Sequence, residues 1–361
     1  YALGNKKYQD DKKIKDEIDC LNRIIYYVSQ KLNERIYSWQ PIINYEPLIE
    51  DIKKDYDLDL ISHIYQLGRL WSLDYFEGLY QRLGTKFDYY YYESMIGEQG
   101  LTLVQKHKTV FEESEGAIVF RGEEHGLHTR VFINSLGLPV YEAKDLGLAV
   151  IKYDDYAYDK SIIVTGNDIN EYFRVVLKAL EQFKPGLAGK TTHIGHGMMR
   201  LKTGKMSSRT GDIISGDELL DHLKELILQK MSQSDTTQVE DSEREKVADK
   251  IAVSALKYSI LKNGIGNDIQ YDQEQSVSIQ GDTGPYLIYT YTRTNSVFEK
   301  AGTSPREVSS LTYNLKGELE PLEEGVLKHI YKFSEEIELA AERLSPNLIA
   351  SFIYELAQKY N

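Results

Sequence analysis

The stretch "DKSIIVTGNDINEYFRVVLKALEQF", Asp159 to Phe183, restricts the fold more than any other part of the chain. An apolar β-branched run, a glycine-containing turn and an apolar stripe at helical spacing follow one another without a break. Strand, turn and amphipathic helix in that order are the unit of a parallel α/β sheet, because a helix leaving a strand this quickly packs back onto the sheet face. An α/β class is therefore expected.

On either side the text changes character. From about Lys12 to Arg82 it is helical: "EIDCLNRIIYYVSQKLNERIY" and "ISHIYQLGRLWSLDYFEGLYQRLG" repeat apolar residues at three and four and stop at Gly84. The aromatic run "TKFDYYYYESM" reads as a strand covered by helices, which outweighs a base-stacking role for Tyr89 to Tyr92. "GEQGLTLVQKH" reads as a short helix, and "GAIVFRG" and "TRVFINSLGLPVY" alternate like strands. "KTTHIGHGMMRLKTGKMSSRTGDIIS" is strand and glycine-punctuated loop, followed by a helix whose Ser215 and Glu218 have capping-box spacing. Polar "SQSDTTQVEDSEREK" reads as a linker, and the chain beyond about Val247 as mainly helices.

Length and charge bound the function. With 361 residues, 41% of them hydrophobic, the chain can bury the cores of two or three domains. A net charge of −13 disfavours indiscriminate nucleic-acid binding. It leaves room for a local RNA groove, since charges act over about 8–10 Å in physiological salt. The single cysteine, Cys20, excludes an internal disulfide and a cysteine-rich zinc site, and reads as a small hydrophobe on a helix in a reducing, cytoplasmic setting. No apolar run is long enough to span a membrane, and the N-terminus has no basic-then-apolar signal pattern. The chain opens on Tyr1 rather than Met and reads as a piece of a longer protein.

The densest motif is "HIGHGMMRLKTGKMSSRTGD", His193 to Asp212. In "KTGKMSSRTGD", glycines and small residues let the backbone turn closely around phosphates, Lys205 supplies a cation, and Ser207 and Ser208 supply hydroxyl donors. Such a preorganised donor set stabilises the charge of a pentavalent α-phosphate. In isolation a lysine in a serine-rich loop is a solvated turn; the position between a strand and a capped helix makes this one specific. Class I aminoacyl-tRNA synthetases carry an HIGH tetrapeptide and a KMSKS-like loop, in opposite halves of a nucleotide-binding fold. Here HIGH lies too close to Lys205 for opposite sides of one ATP, and no helix opens after it. His193 and His196 are expected to be strand residues, and the tetrapeptide a lookalike.

The chain resembles arginyl-tRNA synthetases over nearly its whole length. "GLHTRVFINSLGLPVYEAKDLGLA", "GKMSSRTGDIISGDELL" and "IQGDTGPYLIYTYTR" look like segments that family carries in this order, and "RLWSLDYFEGLYQRLGTKFDYYYYES" agrees. The resemblance implies a class I ligase that activates arginine with ATP, accompanied by Mg2+, and transfers it to tRNA(Arg). It implies a partial Rossmann-like catalytic domain with a helical insertion, followed by an all-α anticodon-binding bundle. The expected segments are 1–84, helical; 85–215, second part of the catalytic domain; and 216–361, helical linker and partial anticodon-binding domain. The family's true HIGH motif would precede Tyr1, and "FIYELAQKYN" looks like the middle of the anticodon bundle. The piece alone is accordingly expected to be inactive, and the full-length protein a monomer. Ser208 followed by Arg209 replaces the second lysine of KMSKS, a variant that resembles many arginine enzymes.

Residue by residue, the resemblance assigns Gly204, Lys205, Met206, Ser207, Ser208 and Arg209 to ATP, with Lys205, Ser207 and Ser208 catalytic, and assigns no metal ligand. Tyr141 and Asp145 are four apart, so on a helix they share a face. A guanidinium requires an acceptor-only planar group, which an aspartate provides. Alone, such a pair is usually helix surface; its match to the family's arginine-pocket motif favours the functional reading. Asp168 falls, by eye, where many relatives carry a substrate-holding glutamine. Tyr289 and Arg293 have the chemistry to stack a base and hold a phosphate of tRNA, but a helix packed against the catalytic domain at the junction is the favoured reading of "GPYLIYTYTR". A truncated, non-catalytic tRNA- or protein-binding paralogue is the competing class. A ligase for a neutral amino acid would leave the pocket carboxylate unpaired.

Overall fold

The computed structural model describes residues 7–37, 40–202, 215–233, 239–309 and 318–361. The chain divides into two compact units, one running through Gly195 and the other starting at His196.

In the first unit, helices α1 (Lys12–Tyr37) and α2 (Leu58–Arg82) pack together. Ile24 and Val28 of α1 are buried with Ile49 and Ile52, and half-buried Cys20 lies against the same cluster. Gly84 ends α2 at φ 63°, where the Thr85 amide donates to the Tyr80 carbonyl. The tyrosine run that follows is not a strand. Tyr89 to Tyr91 pair with no strand among the described residues, and Tyr92 sits at the N-cap of helix α3 (Glu93–Lys106). Aromatic residues favour a sheet only where a neighbouring edge accepts their backbone bonds. Here Tyr89 instead stacks on Tyr91, with ring centroids 6.2 Å apart.

Strands β1 (Glu112–Ser114), β2 (Ala117–Phe120) and β3 (Arg130–Ile133) form an antiparallel sheet in that order. The β1–β2 turn, Glu115-Gly116, has φ of 52° and 77°, the primed geometry that matches strand twist. After β3, the Asn134 carboxamide accepts from the amides of Leu136 and Leu138, each at 3.0 Å, and folds the chain back. The Val140 amide then donates to Phe132, and the Tyr26 hydroxyl donates to the Pro139 carbonyl. These bonds set the start of helix α4 (Tyr141–Asp155), the helix that carries the two expected arginine contacts.

α3 and α4 cross at backbone distance. A Cβ on Gly100 would lie 2.0 Å from the Ala143 carbonyl oxygen, and one on Gly147 would lie 2.5 Å from that of Ile96. Small residues on both helices therefore permit this crossing and hold α4 rigidly. Next come β4 (Ser161–Gly166), a 3-10 turn, α5 (Asn170–Phe183), α6 (Pro185–Lys190) and β5 (Thr191–His196). β4 pairs with β5, so the strand–turn–helix unit read from the sequence is present. Its helix buries Phe173, Val175, Val176, Ala179 and Leu180 in a core shared with Phe132 and Leu146.

In the second unit, β6 (Met199–Leu201) pairs in parallel with β7 (Ile269–Tyr271), a strand within a region expected to be mainly helical. Helix α7 (Gly216–Ser232) opens on the expected Ser215–Glu218 capping box. Helix α8 (Asp241–Leu261) starts inside the stretch read as a linker, since acidic Asp241 and Glu243 suit a helix N-terminus. Helix α9 (Gly284–Lys300) packs on α8 and on α12 (Pro346–Tyr360), which also receives α10 (Pro321–Tyr331) and α11 (Phe333–Arg343). Among the described residues, no helix is long and apolar enough to cross a membrane.

Candidate active site

Tyr141 and Asp145 both lie on α4, as their spacing predicts, but in different surroundings. Tyr141 is the first helical residue and is 64% exposed, with the Lys144 ammonium 5.3 Å from its ring centroid. Asp145 is turned toward α5, where the Tyr172 hydroxyl donates to its Oδ2. Burial raises the Asp145 carboxyl above its usual range; the Tyr172 bond opposes this, Glu142 and Glu93 add to it, and Lys152 counters it. Burial likewise lowers the Lys152 ammonium, and burial together with Asp145 raises the Tyr172 phenol.

Two further residues complete the cluster. The Arg130 guanidinium of β3 stands 5.3 Å from the Tyr172 ring centroid and pairs with Glu142 of α4 at 3.1 Å. Its Nε is buried and makes no hydrogen bond among the described residues. Asp168 is exposed on the 3-10 turn Asn167–Ile169 and shares no hydrogen bond or ion pair with Asp145.

The HIGH tetrapeptide is strand, as expected. His193 stacks on Phe173 with centroids 4.2 Å apart and shares a hydrogen bond with the Thr165 hydroxyl at 2.7 Å. Burial holds its pKa below the usual value. A Cβ on Gly195 would lie 2.0 Å from the Asn170 Oδ1, so the space beside this glycine is filled by the start of α5. His196 is exposed and donates from Nδ1 to the Gly197 carbonyl.

The expected phosphate loop, with Gly204, Lys205, Met206, Ser207, Ser208 and Arg209, lies outside the described residues. Its flanks are described. On the entering side, Arg200 pairs with Asp268 at 2.9 Å and Lys202 with Asp272 at 2.7 Å. A Cβ on Gly197 would meet the Asn267 carbonyl oxygen at 1.8 Å, so the chain here runs against the backbone ahead of β7. On the leaving side stands the capped start of α7.

Tyr289 is 45% exposed on α9 and lines a cavity of about 430 Å³ with Ile227, Met231, Ile251 and Ile288. Arg293 donates to the Asn361 side chain at 3.2 Å. Within the second unit this helix packs on α8 and α12.

Residues 20–273 match the family model for tRNA synthetases class I (R), catalytic domain. The chain belongs to the class I (R) tRNA synthetases. Residues 287–361 match the DALR anticodon binding domain. The chain is 34% identical to the arginine–tRNA ligase of Flavobacterium psychrophilum over 298 residues, which are 81% of this chain and 48% of that protein. With the arginine–tRNA ligase of Bacteroides fragilis it shares 30% identity over 309 residues, 83% of this chain and 51% of that protein. It thus spans about half the length of the curated relatives it matches. Solved arginyl-tRNA synthetases from Plasmodium falciparum and Thermus thermophilus have the same fold, with TM-scores of 0.68 and 0.67 at 19% and 21% identity. The alignments cover 94% and 92% of this chain and 60% and 65% of those chains. The expected class, an α/β synthetase catalytic part followed by a helical anticodon domain, is the class of this class I (R) chain.

Sequence reasoning about this synthetase chain missed Tyr172 and Arg130. Tyr172 falls on the apolar stripe of α5 and reads as core; Arg130 opens an alternating strand and reads as its polar face. The available signal was a lone arginine at the head of an apolar strand, in the segment that carries the Tyr141–Asp145 pair.

Proposed function

We propose that this chain serves an arginine–tRNA ligase, which forms arginyl-adenylate from arginine and ATP and transfers arginine to tRNA(Arg). One observation supports it most: in the segment resembling the family's arginine pocket, a half-buried carboxylate is held in place on a helix with no cationic side chain among the described residues bonded to it. Asp145 is then the acceptor for the guanidinium, which has donors only. Tyr141 packs on the arginine stem or bonds beside it, and Asp168 stays a weaker contact. Lys205, Ser207 and Ser208, with Gly204, Met206 and Arg209 shaping the loop, neutralise charge developing on the α-phosphate. Magnesium enters with the ATP phosphates. Tyr289 and Arg293 belong to the tRNA-facing part, and a cytoplasmic setting goes with this reading.

Arginine-dependent ATP–pyrophosphate exchange, with tRNA present, tests the proposal on the longest form of the protein its gene encodes. Exchange with arginine and none with lysine or citrulline is expected. Arginine or tRNA binding without any exchange would favour the non-catalytic paralogue.

A further inference from the structure

We propose that Tyr172 is a positioning residue for arginine recognition: it pins one oxygen of Asp145 and so leaves the other oriented and free for the ligand, while Arg130 and Glu142 hold Tyr172 in turn. The inference rests on the arginine-ligase reading above.

The two oxygens of Asp145 differ. Oδ2 accepts from the Tyr172 hydroxyl, whereas Oδ1 accepts no hydrogen bond among the described residues. Oδ1 is not among the buried side-chain atoms left without a partner, so it is accessible to solvent and a ligand can reach it. An ionised carboxylate has about four acceptor sites, so one phenol bond to Oδ2 still permits a two-pronged contact with a guanidinium. What the bond removes is rotation about the Cβ–Cγ axis. A planar fork is sensitive to that rotation, which a point-charge ammonium tolerates better.

Tyr172 is itself well fixed. It is 9% exposed, its ring meets Phe173 edge-on at 5.0 Å, and the Arg130 guanidinium stands 5.3 Å from its centroid. Arg130 is tied to Glu142 at 3.1 Å, and Glu142 lies on the same helix as Asp145, so the chain of contacts returns to α4. The phenol also donates to the charged form of the carboxylate and so favours ionisation against the effect of burial. An Asp145 that stayed protonated would present a donor to a ligand that has only donors.

Tyr172→Phe keeps the ring and removes only the hydroxyl. In the longest form of the protein its gene encodes, arginine titration calorimetry should show binding weakened about tenfold to a hundredfold, the range for a bond to a charged group. The Asp145 carboxyl carbon, followed by NMR against pH, should titrate at a higher pH in the variant. Glu142, Glu93 and Lys152 also act on this carboxylate and Arg130 acts through Tyr172, but all four are retained, so the difference reports the lost phenol bond. Circular dichroism melts check that the fold is kept. Unchanged arginine affinity, or weaker affinity with an unmoved Asp145 titration, overturns the positioning role. Asp145→Asn, measured alongside, separates the two levels. If it loses arginine while Tyr172→Phe does not, only the positioning role falls; if it binds arginine normally, or the wild-type chain binds none, the reading beneath it falls as well.

Discussion

His193 lies flat against Phe173, the planes of the two rings inclined by 16°. The stack joins β5 to α5, and the imidazole Nε2 is engaged by the Thr165 hydroxyl. It explains the first histidine of the HIGH tetrapeptide by packing, as Asn170 explains the glycine.

His193→Ala should therefore act on stability and not on chemistry. Loss of the stack and of the Thr165 bond is expected to destabilise the first unit by about 1–3 kcal/mol, with nucleotide binding unchanged. In the full-length protein Lys205→Ala should do the reverse, with an unchanged melt and a loss of about 3–4 kcal/mol of transition-state stabilisation in pyrophosphate exchange. If His193→Ala loses as much activity as Lys205→Ala at constant Tm, the lookalike assignment is wrong.

The same histidine makes stability depend on pH. Its folded pKa lies below 6.5, so its contribution is present above that value and is lost as pH falls through the folded pKa. Urea unfolding between pH 7 and 5 should show a steeper loss for the wild type than for His193→Gln. Equal slopes would place the acid sensitivity elsewhere.

Asp145→Asn should separate stability from recognition. The folded pKa of Asp145 is raised above 3.8, so its stabilising contribution is complete below 3.8 and lost as pH rises through the folded pKa. At neutral pH the empty site thus bears an ionised group it would fold better without. The variant should melt at the same temperature or higher, yet bind arginine ~10²–10³-fold more weakly, as when one partner of a buried charge pair is removed. Calorimetry and a thermal melt on the same sample decide it; a destabilised variant with normal arginine affinity would contradict both halves.

Tyr141→Phe should be mild. The ring is largely solvent-exposed and the change deletes one neutral hydrogen bond at most, worth about 0.5–1.5 kcal/mol. A loss of arginine affinity as large as that of Asp145→Asn would move the principal contact to Tyr141.

Gly197→Ala tests the anchoring of the loop's entering strand. The added methyl would lie 1.8 Å from the Asn267 carbonyl oxygen, a backbone atom that cannot swing aside. Separating β6 from β7 should lower stability by about 1–3 kcal/mol, the range for overpacking. Calorimetric melting reads this directly, and an unchanged second-unit transition would refute the close approach.

Local pattern by itself determined a good deal: the helices of Lys12–Arg82, the hairpin strands, the strand–turn–helix at Asp159–Phe183 and the Ser215 cap. Each depends on residues a few positions apart, where side-chain periodicity and capping chemistry act. It also placed Tyr141 and Asp145 on one helix. Only the tertiary structure decided the rest. Tyr89 to Tyr92 have strand-forming side chains, but without a partner edge their backbone is not drawn into a sheet. Tyr172 reaches Asp145 from the next helix along the chain, and Arg130 reaches Tyr172 and Glu142 from β3. Such a meeting leaves no periodic trace in the text, because contacts between distant elements depend on how their surfaces pack and not on the spacing within either one.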